Sequence, residues 1–156
     1  MDPVTAAVRA LRENPALAER VLRLAEPPAG DKIADARDLL PHLRPHLDGR
    51  DTEALVVVAL DRRHRVIDVG VLTTGTDAVT LVESRQILRW VLTRRRPAHA
   101  FVLAHNHPSG DPTPSHEDLL CTRAVRDAGR VVGLILLDHV VVTDDGFTSI
   151  AAQGGL

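Results

Sequence analysis

The 156-residue chain has one cysteine, Cys121, and no tyrosine. A single cysteine excludes an intrachain disulfide and every zinc site built on CxxC pairs. Lysine is nearly missing too: Lys32 is the sole lysine among 19 basic residues, the rest being arginine. A GC-rich coding sequence explains that bias more economically than function does. Aromatics reduce to Trp90, Phe101 and Phe147, too few to build a base-stacking platform. Neither sign of charge dominates, because 19 Lys+Arg against 21 Asp+Glu leave a formal net of -2. A global electrostatic footprint for nucleic acid is therefore absent. No apolar run approaches the ~20 residues of a membrane span, so no membrane association is expected. The first residues carry an acid, Asp2, and no long apolar stretch, unlike a secretory signal. A cytoplasmic location is the expectation.

What is present is enough for one folded domain. A hydrophobic fraction of 44% against 26% charged residues excludes disorder as the dominant state. A domain of this length buries about two-thirds of its unfolded surface without help from a structural metal. Residues 1–50 read as a helical N-terminal segment and residues 51–156 as the main domain. In the first segment, apolar residues at helical spacing are interrupted by Asn14-Pro15, which predicts two short helices, and residues 26–30 read as a linker. Residues 35–47 are again helical in pattern, with Pro41 and Pro45 expected to kink or shorten the helix. From Glu53 the texture changes to β-branched runs at 54–60 and 66–72 around a polar turn, which predicts a hairpin. A short strand is expected at 79–82, a helix capped by Ser84 through about residue 96, and a buried strand at 98–104. A helix over 115–129 ending at Gly129 follows, then strands at 131–137, 139–143 and 147–150. The order predicts an α/β fold, a mixed β-sheet with flanking helices, preceded by the short helical segment.

Chemistry concentrates in residues 105–118, HNHPSGDPTPSHED. Two histidines two apart at a strand end point their rings to the same side, because strand side chains alternate. Neutral imidazoles are good zinc ligands, and an oxygen ligand is a usual third partner. The loop between them and the next helix holds Pro108, Pro112, Pro114 and Gly110, and so loses little entropy on holding ligands still. Asp118 falls in the first turn of the helix, aimed back at the strand end. Ser115 and Asp118 also satisfy a helix N-terminus with no catalysis at all, hydroxyl on a backbone amide and acid on the dipole.

The whole string, His-x-His-Pro, then six residues, Ser, two residues and Asp, resembles the JAMM motif of the JAB/MPN metallopeptidase superfamily. Its flanking text, His105-Asn106-His107-Pro108-Ser109-Gly110-Asp111 with Pro112 and Pro114, is similar to the RadC branch, as is Asp138-His139. The resemblance covers residues 50–153 and implies a cytidine deaminase-like JAB/MPN domain. It further implies a Zn2+ held by His105, His107 and Asp118, with Ser115 stabilising the oxyanion. Three protein ligands leave a fourth position for water, which zinc acidifies. The family also carries an upstream Glu that activates this water, where a helix gives way to the first hairpin strand. Glu53 stands in that context. Glu83 is its rival, and Gln86 follows Arg85 where many RadC-like sequences have an acid.

The resemblance implies a zinc metallopeptidase or isopeptidase acting on a peptide or protein, a ubiquitin-like one among the candidates. The alternative is a DNA-associated repair factor or metal-dependent nuclease of the RadC type, and a fold that binds without catalysis is a third possibility. Full-length RadC proteins resemble a helix-hairpin-helix segment joined to the JAMM domain, and residues 1–50 lack an obvious Gly-rich hairpin for phosphates. Arg94-Arg95-Arg96 is the strongest basic cluster, and a helix C-terminus accounts for it. His105-Asn106-His107 is not an HNH nuclease motif, whose three residues are dispersed. Zinc deaminases need a Pro-Cys-x-x-Cys that one cysteine cannot supply. Cys121 reads as a small core residue.

Overall fold

A computed structural model describes residues 2–18, 30–75 and 82–156. The chain divides into two compact units, Met1–Gly30 and Asp31–Leu156. In the first, helix α1 (Pro3–Glu13) starts where the Asp2 carboxylate accepts from the amide of Thr5 at 3.0 Å. Beyond α1, Asn14 caps a fresh helical turn over residues 15–18 by accepting from the amide of Leu17 at 3.0 Å. The expected break therefore stands, while the remainder of the second helix lies outside the described residues. Among the described residues no helix is long and apolar enough to cross a membrane.

The second unit holds helix α2 (Ala36–Leu47), strands β1 (Glu53–Leu60) and β2 (Val66–Gly75), and helix α3 (Ser84–Leu92). Strand β3 (Ala100–Asn106), helix α4 (His116–Val131) and strands β4 (Ile135–Thr143) and β5 (Gly146–Ser149) follow. The five strands form one mixed sheet in the order β2-β1-β3-β4-β5, with β3 and β4 parallel and the other neighbours antiparallel. This is the α/β sheet with flanking helices that the sequence predicts. Both central strands, β1 and β3, are covered on both faces, and so read as continuous apolar runs rather than alternating ones. One face of the sheet packs Val56, Val58, Val102 and Val140 against Leu39, Leu43 and Leu47 of α2. The other packs Leu55, Val57, Phe101 and Leu103 against Ile87 and Val91 of α3 and Val125 of α4.

Four expectations change. Helix α2 runs unshortened through Pro41 and Pro45. A proline inside a helix costs about 3 kcal/mol. Leu39, Leu43 and Leu47, spaced four apart and each fully buried, contribute roughly 1.5–3 kcal/mol apiece. A capping box adds to this, Asp35 accepting from the amides of Arg37 and Asp38 while Asp38 accepts back. Helix α3 ends at Leu92 rather than near 96, and Glu83, not Ser84, occupies its N-cap without a side-chain capping bond. Helix α4 passes through Gly129 to Val131, and the chain reverses at Gly133 with φ 75°. Gly129 serves close packing instead: a Cβ there would lie 3.0 Å from the Leu134 carbonyl. Finally, residues 131–137 and 139–143 are not two strands. Residues 135–143 form the single strand β4, because Asp138 is fully satisfied within it, accepting from the amides of His139 (2.7 Å) and Ala151 (3.0 Å) and from the Ser149 hydroxyl (2.6 Å). The short strand expected at 79–82 falls outside the described residues except for Val82, which is buried.

Strand β4 carries one irregularity. Phe101 pairs with Leu136 but Val102 pairs with Asp138, so Leu137 is an extra residue on β4. Because side chains alternate, a bulge swaps the faces beyond it. Leu136 and His139 thus share the α4 side of the sheet, while Leu137 and Val140 face α2.

Candidate metal centre

The site lies at the carboxyl end of β3, where parallel β3 and β4 and the start of α4 meet, a common position for ligand sites in α/β sheets. His105 is the penultimate residue of β3 and fully buried. His107 lies one residue beyond the strand, yet its amide still donates to the Val142 carbonyl at 3.1 Å, so the strand geometry persists and the two rings fall on one side. Their centroids are 4.8 Å apart. Asp118 is the third residue of α4 and is also buried.

Their donor atoms converge. The two histidine Nε2 atoms are 3.0 Å apart; Asp118 Oδ1 lies 3.3 Å from His105 Nε2, and Asp118 Oδ2 lies 3.5 Å from His107 Nε2. A tetrahedral metal ion with bonds of about 2.0–2.1 Å holds its ligand atoms about 3.3–3.4 Å apart, close to the distances at which the two Asp118 oxygens approach the two rings. Among the described residues His105, His107 and Asp118 are the group able to hold a metal ion. The chemistry of the rings agrees. His107 Nδ1 lies 2.7 Å from the Asp111 carbonyl, a pure acceptor, so the ring proton sits on Nδ1 and Nε2 keeps its lone pair.

Electrostatics favour a cation at this point. The Asp118 carboxylate, which accepts a hydrogen bond from the ring once it is protonated, raises the pKa of His107 above the ordinary imidazole value, against burial, with the nearby Glu53 charge adding to the rise. Burial pushes the Asp118 carboxyl up, but the two imidazoles facing it, which donate to it when protonated, outweigh burial and hold the group far below the usual carboxylate range. Burial keeps His139, 2.9 Å from His105 Nδ1, in the neutral form.

Ser115 caps α4, its hydroxyl oxygen accepting from the Asp118 amide at 3.1 Å, and its own amide donates to Asp118 Oδ2 at 2.8 Å. The capping and ligand readings of this pair are thus one structure: the box that starts the helix also aims the carboxylate. The loop from β3 is held by Gly110, whose amide donates to the His107 carbonyl at 3.0 Å with φ 80°, a turn suited to glycine.

Glu53 reaches the same place from β1. Leu55 pairs with His105 at the end of the antiparallel ladder, and Glu53, two residues before Leu55 and so on the same face, lies beside His107. It lines a cleft of about 310 Å³ together with His107, Ser109, Ser115, Glu117 and Asp118. Glu83 does not line that cleft; it is exposed at the N-cap of α3 and paired with Arg85 at 2.9 Å. Gln86 is exposed on the same helix. Of the basic cluster, Arg94 pairs with Asp68 at 2.8 Å and lies 4.0 Å over the Trp90 ring, and Arg96 approaches Asp61 at 3.7 Å. Cys121 packs at the edge of the core, and burial pushes its thiol pKa up, which disfavours a thiolate nucleophile.

Sequence reasoning assigned no role to three contributors, although it noted Asn106 and His139 within the resemblance. Asn106, between the two histidines, accepts from the Ala54 amide at 2.7 Å and donates to the Thr52 carbonyl at 3.1 Å, clamping the chain on both sides of Glu53. Asn106→Ala is expected to leave two polar groups unpaired and cost about 1–3 kcal/mol, read as a shift of the denaturant midpoint. His139 and Thr122 stack behind His105, with Thr122 Oγ1 2.6 Å from His139 Nδ1. Thr122, four residues after Asp118 on one helix face, was legible from spacing; His139 depends on the bulge and was not.

Comparison with known proteins identifies the family. The model of the RadC-like JAB domain matches residues 33–156. A UPF0758 protein of Symbiobacterium thermophilum is 42% identical over 122 residues, 78% of this chain and 51% of the relative. Another, from Thermotoga maritima, is 40% identical over 106 residues, 68% of this chain and 47% of the relative. A third, from Desulforamulus reducens, is 33% identical over 146 residues, 94% of this chain and 59% of the relative. The chain thus spans about half the length of these curated relatives. With most of its length matched, and the His-His-Asp cluster assembled at the end of β3, the chain belongs to the RadC-like JAB domain family.

Proposed function

We propose that the chain is a zinc-dependent hydrolase of the JAMM type that cleaves an amide bond in a peptide or protein substrate. The observation that carries this reading is the convergence of His105 Nε2, His107 Nε2 and the Asp118 carboxylate beside a cleft that Glu53 and Ser115 also line. Zinc, when bound there, supplies a Lewis acid and a water acidified toward neutrality. The chain's own residues do the rest. Glu53, beside His107 in the cleft and held by the Asn106 clamp, accepts a proton from the attacking water at its carboxylate and passes it to the leaving nitrogen. Ser115 uses a lone pair to accept from the Asp118 amide, which leaves its proton for the developing oxyanion. A nucleic-acid role draws less support, since Arg94 and Arg96 are engaged within the fold.

The test is direct. Zinc-reconstituted protein is expected to hold one ion per chain and to cleave members of a peptide and isopeptide panel, with a chelator abolishing cleavage. Zinc well below one per chain, or cutting of DNA with the whole peptide panel intact, overturns the proposal.

A pH dependence arises from His107. Its pKa is raised from 6.5 by Asp118, so a proton competes for Nε2 at a higher pH than it would on a free imidazole. Below that raised value, zinc affinity is expected to fall about tenfold per pH unit. Competition titrations with a chromophoric chelator across the neutral range check it, and an affinity flat through that range contradicts it.

A further inference from the structure

The proton arrangement behind His105 can be worked out from the contacts. Thr122 and His139 are fully buried, as is His105, so no solvent competes for their hydrogen bonds. Thr122 Oγ1 lies 2.6 Å from the Asp118 carbonyl and 2.6 Å from His139 Nδ1. The hydroxyl has one proton, and the carbonyl can only accept. Both contacts are hydrogen bonds only if Thr122 donates to Asp118 and His139 Nδ1–H donates to Thr122. The proton of neutral His139 is then on Nδ1, and its Nε2 is an acceptor. His105 Nδ1, 2.9 Å from that Nε2, must donate to it. The His105 proton is thereby fixed on Nδ1, and Nε2, facing His107 and Asp118, carries the lone pair.

We infer that Thr122 and His139 are positioning residues that set the tautomer of His105 and so present its Nε2 as a metal ligand. The inference rests on the reading of His105 as a ligand, which it deepens by naming what prepares that ligand. Orientation by a hydrogen-bonded partner of this kind is a general feature of metal-binding histidines. The relay starts on Asp118, itself in the cluster, and runs through α4 and the bulged β4 back to β3, so it ties together the elements that carry the two buried members.

Thr122→Val separates this role from packing, because valine keeps the shape and removes the hydroxyl. His139 Nδ1–H would then be buried and unpaired. The His139 ring relieves that by moving its proton to Nε2, from which it donates to His105 Nδ1. The His105 proton is then driven onto Nε2, where it blocks the metal. Thr122→Ser keeps the hydroxyl and loses a methyl. The two roles predict opposite orders: packing favours valine over serine, and proton orientation favours serine over valine.

The experiment reads imidazole nitrogens by long-range proton–nitrogen NMR on metal-free protein in mildly alkaline buffer, with zinc affinity measured separately. Wild type and Thr122→Ser are expected to show His105 protonated on Nδ1. Thr122→Val is expected to show the proton shifted to Nε2 and a zinc affinity reduced by about 10–100-fold. His105 protonated on Nε2 in the wild type overturns the inference without any variant. So does Thr122→Val with an unchanged tautomer, or Thr122→Ser losing as much affinity as Thr122→Val. The tautomer needs neither metal nor substrate. A relay that behaves as expected in a protein that cleaves nothing supports the inference and refutes the hydrolase, and an active enzyme with an insensitive tautomer does the reverse.

Discussion

Glu53→Gln is expected to lower turnover by about 10²–10⁴-fold, the usual contribution of a positioned general base. Zinc should stay bound, because Glu53 is not among the three converging residues. The amide keeps the shape of the side chain and cannot accept a proton from water, so a loss of rate with metal and fold intact isolates proton transfer. Glu53 lies beside His107 in the cleft, and the Asn106 clamp on residues 52 and 54 holds its backbone. The matched control is Glu83→Gln, which alters an exposed carboxylate paired with Arg85 and should leave the rate unchanged. His107→Ala, by contrast, should lose zinc and rate together. Steady-state kinetics beside metal content give the answer. Loss of activity in Glu83→Gln with Glu53→Gln active would move the base role to Glu83.

Ser115→Ala tests one hydroxyl that serves two purposes. As the N-cap of α4 it accepts from the Asp118 amide at 3.1 Å, and its loss should cost about 1 kcal/mol of stability. As an oxyanion donor its loss should cost about 10²–10³-fold in turnover. Zinc should be retained for a specific reason: the bond that aims the Asp118 carboxylate comes from the Ser115 backbone amide, which alanine keeps. The expected signature is therefore a small fall in melting temperature, a large fall in rate and an unchanged metal content. Equal rates for variant and wild type on a cleaved substrate would leave Ser115 a helix cap and nothing more.

That His105, His107 and Asp118 come together was legible in the sequence because the geometry is mostly local; their reading as metal ligands came from the resemblance of the whole string. The alternation of a strand puts His105 and His107 on one side, and a first-turn acid with its capping serine points back toward the strand end whatever the rest of the fold does. Helix ends were harder. Gly129 reads as a stop, yet in the structure it is a close-packing residue against Leu134 and Phe101, which no local pattern reveals. Prolines at 41 and 45 argue against a helix, and three leucines meeting the sheet outweigh them.

By itself, then, the sequence determined the class of the fold and the buried central strands through side-chain periodicity, while the grouping of His105, His107 and Asp118 as a metal cluster rested on the resemblance of residues 105–118 to the JAMM motif. Tertiary structure alone decided which carboxylate joins them. Glu53 and Glu83 both stand near the start of an element, and only the antiparallel register of β1 on β3 sets the first beside His107. It also decided what lies behind His105: one extra residue at Leu137 turns His139 from the α2 side of the sheet to the side of His105 and Thr122. A single-residue change of register moves a side chain through the thickness of the sheet. It leaves no trace in composition or periodicity.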